Sequence, residues 1–175
     1  MRAHTVLGTT YYWMDATAQS CENPAHAALV ARGVDDTSSA TEAMMKTATG
    51  TFDVKIGSLP QYNTSQGAML ARMSIDKQFK GDLVGTSQGE MLSAGTVTKG
   101  SAGYVAIERV TGMLNGRSGS FVLQHNATMT RGAPYLNIIV VPDSGTEALA
   151  GLTGTMRIAI DKGDHSYEFE YSFSD

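Results

Sequence analysis

The sequence is poor in the residues that cross-link or interrupt protein folds. It has one cysteine, Cys21, and four prolines among 175 residues. A single cysteine cannot form an intramolecular disulfide, so the fold must depend on its core, which suits a reducing compartment. Because no Cys/His pair at ligand or triad spacing accompanies the thiol, an incidental role fits it better than a catalytic one.

Long hydrophobic runs and an excess of basic residues are also missing. No stretch of about 18 apolar residues occurs, which excludes a membrane-spanning helix, and the first residues lack the apolar run of a signal peptide. The chain has 13 lysines and arginines against 17 acidic residues, which gives a net charge of -4. A negative net charge is unfavourable for binding the phosphate backbone of nucleic acids. We therefore expect a cytoplasmic protein that binds neither membranes nor nucleic acids.

Signals for metal, dinucleotide or phosphate binding are absent as well. The four histidines are scattered along the chain, and His125 and His165 fall in different segments, so no clustered ligand spacing suggests zinc. No dinucleotide fingerprint or P-loop occurs. The sequence therefore predicts no metal and no cofactor.

The distribution of glycine divides the chain in two. Only two of the 19 glycines precede Met44. We predict an N-terminal extension over residues 1–46 and one β-domain over 47–175. The one helical signal of the extension runs from an Asn23 cap to a Gly33 stop. A helix of that length is marginal alone, so the extension is expected to be short-helical or poorly structured.

Alternation of apolar and polar residues with a period of two marks the second part as β-structure. From His165 to Phe173, every second residue is His, Tyr or Phe, and serine or glutamate lies between them. Similar alternation, or β-branched runs, gives about eight strands from about Thr49 to the C-terminus. Lys-Gly and Asn-Gly dipeptides between them are typical of hairpin turns.

This arrangement predicts an all-β fold. Many short strands without intervening helices favour a sandwich or a barrel. Because closure removes exposed strand edges, we predict a small antiparallel eight-stranded barrel. The longest break, from Asp143 to Gly154, is expected to form a loop over one end of it.

Four segments of the β-domain resemble a family of small uncharacterised bacterial proteins. They are KQFKGDLVGTS at 77–87, YVAIERVTG at 104–112, GRSGSFVLQH at 116–125 and VPDSGTEALAGLTG at 141–154, and the resemblance extends over about residues 46–175. That family is similar in fold to allene oxide cyclases and dirigent proteins, calycin-like eight-stranded barrels that hold a hydrophobic small molecule and steer its cyclisation or coupling. The resemblance implies such a barrel, often dimeric or trimeric, but it transfers no catalytic residue.

The dipeptide Asn115-Gly116 predicts the register of one hairpin. A two-residue turn there places Glu108 opposite Leu123 and makes His125 a diagonal neighbour of Glu108, with β-carbons within roughly 7–8 Å. Both side chains would then face the barrel interior.

Glu108 and His125 are accordingly the candidate catalytic residues. A carboxylate that faces an apolar interior is expected to have a raised pKa, which suits a proton donor or acceptor, and the imidazole can share that proton. The alternative is a structural Glu108 that His125 or Lys77 neutralises without touching a substrate. The candidate ligand-binding residues are Tyr104, Phe121, Leu123 and Lys77.

Residues 85–89 match the nucleophile-elbow string G-x-S-x-G of hydrolases. That motif requires a strand that turns sharply into a helix, but β-like sequence follows here. Glycines for barrel curvature are the better interpretation.

Two functions are consistent with these residues. In the first, the barrel binds a hydrophobic small molecule and acts as an isomerase or cyclase, mainly by positioning its substrate beside Glu108 and His125. In the second, the protein is a non-catalytic small-molecule-binding or structural and assembly protein with a packed interior. Val105, Ile107 and Val122 on the predicted outer face suggest a homodimer or homotrimer.

Overall fold

In its described part, the computed structural model contains ten strands and one 3-10 helix. Strands β1 (Ala3–Val6) and β2 (Thr9–Tyr12) pair with each other as an antiparallel hairpin, which the sequence did not predict. The helix predicted between Asn23 and Gly33 lies outside the described residues. The structure describes residues 3–6, 9–12, 44–65 and 69–174.

The other eight strands close into one antiparallel barrel. They are β3 (Lys46–Leu59), β4 (Leu70–Gly81), β5 (Leu83–Gly95), β6 (Ala102–Leu114), β7 (Arg117–Thr130), β8 (Ala133–Val140), β9 (Leu152–Asp161) and β10 (Asp164–Phe173). Each strand pairs with its neighbour in the chain, and β10 pairs with β3 to complete the ring. The predicted all-β class and the eight-stranded barrel are confirmed. No helix in the described part of the chain is long and apolar enough to span a membrane.

The β6–β7 hairpin has the predicted register. Asn115 and Gly116 have φ angles of 45° and 83°, the left-handed conformations that a type I′ hairpin turn requires at both central positions. Glu108 therefore pairs with Leu123, and His125 follows two residues later on the same face of β7. This local turn is what fixes the relative position of the two predicted site residues.

One end of the barrel is closed and packed. The β8–β9 connection contains the 3-10 helix Glu147–Leu149, and Leu149 is fully buried in the main hydrophobic core. Beneath it Phe121 and Phe169 stack with ring centroids 5.7 Å apart. The loop that the sequence places over one barrel end is confirmed, and we call this the closed end.

The opposite end is open to solvent. On β6, Ala106 is 3% exposed, whereas Tyr104, the next inward-facing residue toward that end, is only half-buried. On β8, exposure rises in the same direction from 1% at Ile138 to 39% at Leu136. Because side chains alternate between the two faces of a strand, these residues line the interior. The interior is therefore packed below and partly accessible above, where Met91 and Ala127 are still 3% and 2% exposed, and we call this upper part the cup.

The seam between β8 and β9 is the weakest junction in the barrel wall. Among the described residues, β8 and β9 are joined by one pair, Ile139 with Thr155. By contrast, all of β8 from Ala133 to Val140 pairs with β7. Among the described residues, the part of β8 nearer the open end thus has a strand neighbour on one side only.

Candidate functional site

Four buried polar side chains meet halfway along the barrel interior. Lys77 of β4, Ser87 of β5, Glu108 of β6 and His125 of β7 are 7%, 2%, 0% and 3% exposed. Each occupies an inward position in the alternating burial pattern of its strand. Four consecutive strands contribute one residue each, and we call this group the polar cluster.

Glu108 is the centre of the polar cluster. Lys77 Nζ donates to Glu108 Oε1 at 2.8 Å, His125 Nε2 lies 3.2 Å from the same oxygen, and Ser87 Oγ donates to Oε2 at 3.2 Å. The predicted proximity of Glu108 and His125 is thus present. Lys77 and His125, predicted as alternative neutralising partners, both contact the carboxylate.

The pKa of Glu108 is lowered, so the predicted rise is wrong. Burial by itself raises the pKa of this carboxyl, but the hydrogen bond from His125 and the positive charge of Lys77 outweigh burial and lower it to about 2. The interpretation that predicted the rise considered only an apolar lining and a nearby imidazole, whereas the alternative interpretation named Lys77 as a neutralising partner of Glu108. Glu108 is consequently a carboxylate at neutral pH, able to accept hydrogen bonds but not to donate a proton.

This depressed pKa predicts a specific loss of stability in acid. Since the folded pKa lies below the ordinary value of 4.5, the carboxylate stabilises the fold above about pH 4.5, and that contribution of about 3 kcal/mol disappears as pH falls toward 2. Urea denaturation of the wild type and Glu108→Gln at several pH values measures it. The gap in the free energy of unfolding between the two proteins should shrink over this range.

An exposed carboxylate provides the control for the acid experiment. Glu168 pairs with Arg157 at 3.0 Å, and the two side chains are 49% and 70% exposed. A surface pair contributes at most about 1 kcal/mol, so Glu168→Gln should follow the wild-type pH profile closely. An equal pH response in the Glu108 and Glu168 variants would contradict the buried ion pair.

The second ring nitrogen of His125 is not fully enclosed, although the side chain as a whole is 3% exposed. An ionised carboxylate is only an acceptor, so His125 Nε2 must carry the hydrogen that it shares with Glu108. Nδ1 takes part in none of the hydrogen bonds among described residues, yet no buried side-chain nitrogen or oxygen in that part of the chain lacks a partner. Nδ1 therefore keeps a small accessible surface at the level of the polar cluster.

The other predicted ligand-binding residues separate into two groups. Tyr104 lies on the wall of the cup, and burial together with the charge of Glu108 raises its pKa to about 12, so it carries a neutral hydroxyl. Phe121 and Leu123 are 1% and 0% exposed and belong to the main hydrophobic core. Their positions make them the packed base under the polar cluster.

Ser87 is the site residue that the sequence analysis did not select. It is the central serine of the G-x-S-x-G string, which lies entirely within β5, with no helix after it. Ser87 Oγ bonds to Glu108 and not to His125, so the cluster is not a serine–histidine–acid triad. The alternation of side chains along β5 could have identified Ser87, because it places Ser87 on the inward face. In the structure Ser87 pairs with Val110 on the buried face of β6.

Two surface clefts lie away from the polar cluster. The first, of about 510 Å³, lies near the open end and has a mainly apolar lining. It includes segment 61–63, outward residues such as Leu92 and Val105, and the inward residues Tyr104 and Ala127. The second, of about 390 Å³, includes Arg109 and Glu147 near the closed end. Glu108, His125 and Lys77 line neither cleft. Within the described ranges, no group of three or more His, Cys, Asp or Glu side chains is placed to hold a metal ion.

Fold and cluster define a class of protein, a closed eight-stranded antiparallel barrel with a buried ion pair and histidine in its interior. The family model "Protein of unknown function (DUF3224)" matches residues 48–171, and the chain belongs to this family. A crystal structure of a DUF3224-family protein of unknown function from Shewanella oneidensis MR-1 is similar, with 53% identity and a TM-score of 0.72 over 75% of this chain and 100% of that one.

Comparison with curated proteins gave no match. The predicted membership of an uncharacterised family is thus confirmed, while kinship with allene oxide cyclases and dirigent proteins stays a prediction.

Proposed function

We propose that the barrel binds a hydrophobic small molecule in the cup, with His125 at the floor. The observation that supports this proposal is the gradient of exposure along the interior. Inward side chains are enclosed at the closed end, and Ile56, Tyr104 and Leu136 toward the open end are accessible, whereas Met91 and Ala127 there are 3% and 2% exposed. His125 Nδ1, which has no partner among the described residues, keeps a small accessible surface. Ligand sites of small barrels combine apolar walls with a few placed polar groups in this way.

The wall of the cup is apolar. Its inward-facing members are half-buried or exposed although they are large and hydrophobic, which leaves apolar surface for a ligand to cover. They are Val54, Ile56, Met73, Tyr104, Leu136, Ile158 and Ile160.

The enzymatic form of the proposal is an isomerase or cyclase that acts mainly by positioning its substrate. Glu108 orients the imidazole and fixes its tautomer, and His125 Nδ1 is the group that takes a proton from the bound molecule and returns it at another atom. Such a transfer leaves the protein unchanged and needs no cofactor. Glu108 is here a positioning residue, because its lowered pKa and its three partners remove it from proton donation.

The second candidate is a non-catalytic binding or structural and assembly protein. The saturated hydrogen bonding of Glu108 favours it, since a carboxylate held by Lys77, Ser87 and His125 also fixes the register of four strands. Val105 and Ile107, 53% and 52% exposed on the outer face, support a homodimer or homotrimer as part of either proposal.

A neutral fluorescent probe, N-phenyl-1-naphthylamine, tests the location of the site. Ile158→Trp places a bulky ring in the cup, and Val105→Trp places the same ring on the outer face beside the first cleft. We expect the affinity of the probe to fall at least tenfold in the first variant and less than twofold in the second. Circular dichroism confirms the fold of both.

The converse result would reject the proposal. Loss of binding in Val105→Trp alone would move the site to the outer cleft, and equal binding in all three proteins would remove it from both places. Native mass spectrometry of the purified wild type supplies an independent measurement, since a molecule retained by the wild type should be missing from Ile158→Trp.

A further inference from the structure

The charges at the floor of the cup restrict what the cup can bind. Lys77 and Glu108 form an ion pair with Nζ and Oε1 2.8 Å apart, and their side chains are 5% and 0% exposed. The two charges compensate each other, and neither is free to neutralise a ligand. An ionised group brought to this floor would lose its hydration without gaining a counter-ion.

A carboxylate ligand is the least suited of the common head groups. It would approach His125, which lies 3.2 Å from the ionised Glu108, so two negative charges would share one imidazole in an apolar surrounding. The seven wall residues, all in the described part of the chain, include no lysine or arginine in compensation. His165, which also faces inward on β10, lies against Phe52 with ring centroids 5.1 Å apart.

The free nitrogen of His125, Nδ1, is suited to accept a hydrogen bond, so the ligand should carry a hydrogen-bond donor. In the tautomer with the hydrogen on Nε2, directed to Glu108, Nδ1 presents a lone pair and accepts. A hydroxyl group satisfies that lone pair without bringing charge, and the apolar remainder of the molecule can then cover the wall of the cup.

We infer that the ligand is an uncharged apolar molecule that ends in a hydroxyl group, and that this hydroxyl donates to His125 Nδ1. The inference rests on the proposed function, since it assigns the chemistry of the molecule that the cup would hold. It selects alcohols or phenols over fatty acids of the same length.

Three matched probes that share a ten-carbon chain test the inference by displacement of N-phenyl-1-naphthylamine at pH 8, where a carboxylic acid is ionised. They are 1-decanol, its methyl ether and decanoic acid. We expect decanol to bind at least tenfold more tightly than decanoate and at least fivefold more tightly than the ether, which cannot donate. His125→Leu should reduce the preference for decanol over the ether to below twofold.

A matched control lies one residue away in β7. Gln124 is exposed and pairs with Ile107 on the outer face, so Gln124→Leu should keep the wild-type preference. Should His125→Leu fail to fold, the three wild-type affinities decide alone.

Decanoate binding as tightly as decanol, or an unchanged preference in folded His125→Leu, would overturn the inference and leave the proposed binding site standing. Failure of the wild type to bind the naphthylamine or any ten-carbon probe would overturn the proposed function as well.

Discussion

In a Lys77→Met variant, the free energy of unfolding should fall by about 3–5 kcal/mol, the range seen when one partner of a buried ion pair is removed. Methionine has nearly the length of lysine but no charge, so packing against Phe52 and Phe79, whose ring centroids lie 5.1 and 5.8 Å from Lys77 Nζ, is largely kept. The loss arises because Glu108 stays in the interior, 0% exposed, without its principal counter-charge.

The double variant Lys77→Met/Glu108→Gln should recover much of that loss. Glutamine is uncharged, and its carbonyl oxygen can accept from His125 as the carboxylate does, so neither member of the pair leaves an uncompensated charge. The coupling free energy from the double-mutant cycle should therefore be at least about 2 kcal/mol. Urea denaturation followed by circular dichroism gives the four values. Should Lys77→Met not fold, folding of the double variant would itself demonstrate the rescue.

An exposed ion pair that also involves a lysine of β4 offers a matched control. Lys80 of β4 and Asp53 of β3 form an ion pair at 2.7 Å, but their side chains are 61% and 74% exposed. Their cycle, with Lys80→Met and Asp53→Asn, should yield at most about 1 kcal/mol. Equal coupling free energies in the two cycles would mean that burial adds nothing to the Lys77–Glu108 interaction. That result would contradict the prediction made from its 5% and 0% exposed side chains.

The parts of this site that the sequence predicts are those set by local structure. Asn115-Gly116 fixes a two-residue turn, and the turn alone dictates which residues of β6 and β7 oppose each other. Because a strand shows alternate faces, the same register places Glu108 and His125 together inside the barrel. The observed pairing of Glu108 with Leu123 follows from this one dipeptide.

The parts that the sequence does not predict depend on strands far apart in the chain. Lys77 and Ser87 reach Glu108 only because β4 and β5 lie beside β6 in a particular stagger, which no single turn specifies. The lowered pKa of Glu108 depends in part on that stagger, since the charge of Lys77 adds to the hydrogen bond from His125 in outweighing burial. The open end is likewise a property of the whole ring, including the short ladder at Ile139 and Thr155.

Substituting Gly89 with alanine should destabilise the barrel by at least about 2 kcal/mol, as overpacking does when the neighbouring atoms cannot move aside. A methyl group at Gly89 would meet the backbone oxygen of Ile107 and lie 2.6 Å from both Cα and Cβ of Glu108. These are backbone and near-backbone atoms of β6, so β5 would have to move away from β6. Thermal and urea denaturation measure the loss.

Gly95 in the same strand provides a control with the opposite expected sign. A methyl group there would have its closest contact at 3.4 Å, with the flexible end of Met69, so Gly95→Ala removes chain entropy from the unfolded state without a clash. The expected effect lies between no change and a gain of about 1 kcal/mol. Similar losses in the two variants would indicate a general need for glycine in β5.

The site should respond to the same pair of substitutions. Since an alanine at residue 89 would press on Glu108, its carboxylate would shift relative to Lys77 and His125, and the acid sensitivity of the wild type between about pH 4.5 and 2 should weaken. In Gly95→Ala that sensitivity should be retained. The first and last glycines of the G-x-S-x-G string lie where β5 approaches β6 most closely, which accounts for the motif by strand packing around the polar cluster and not by a nucleophilic serine.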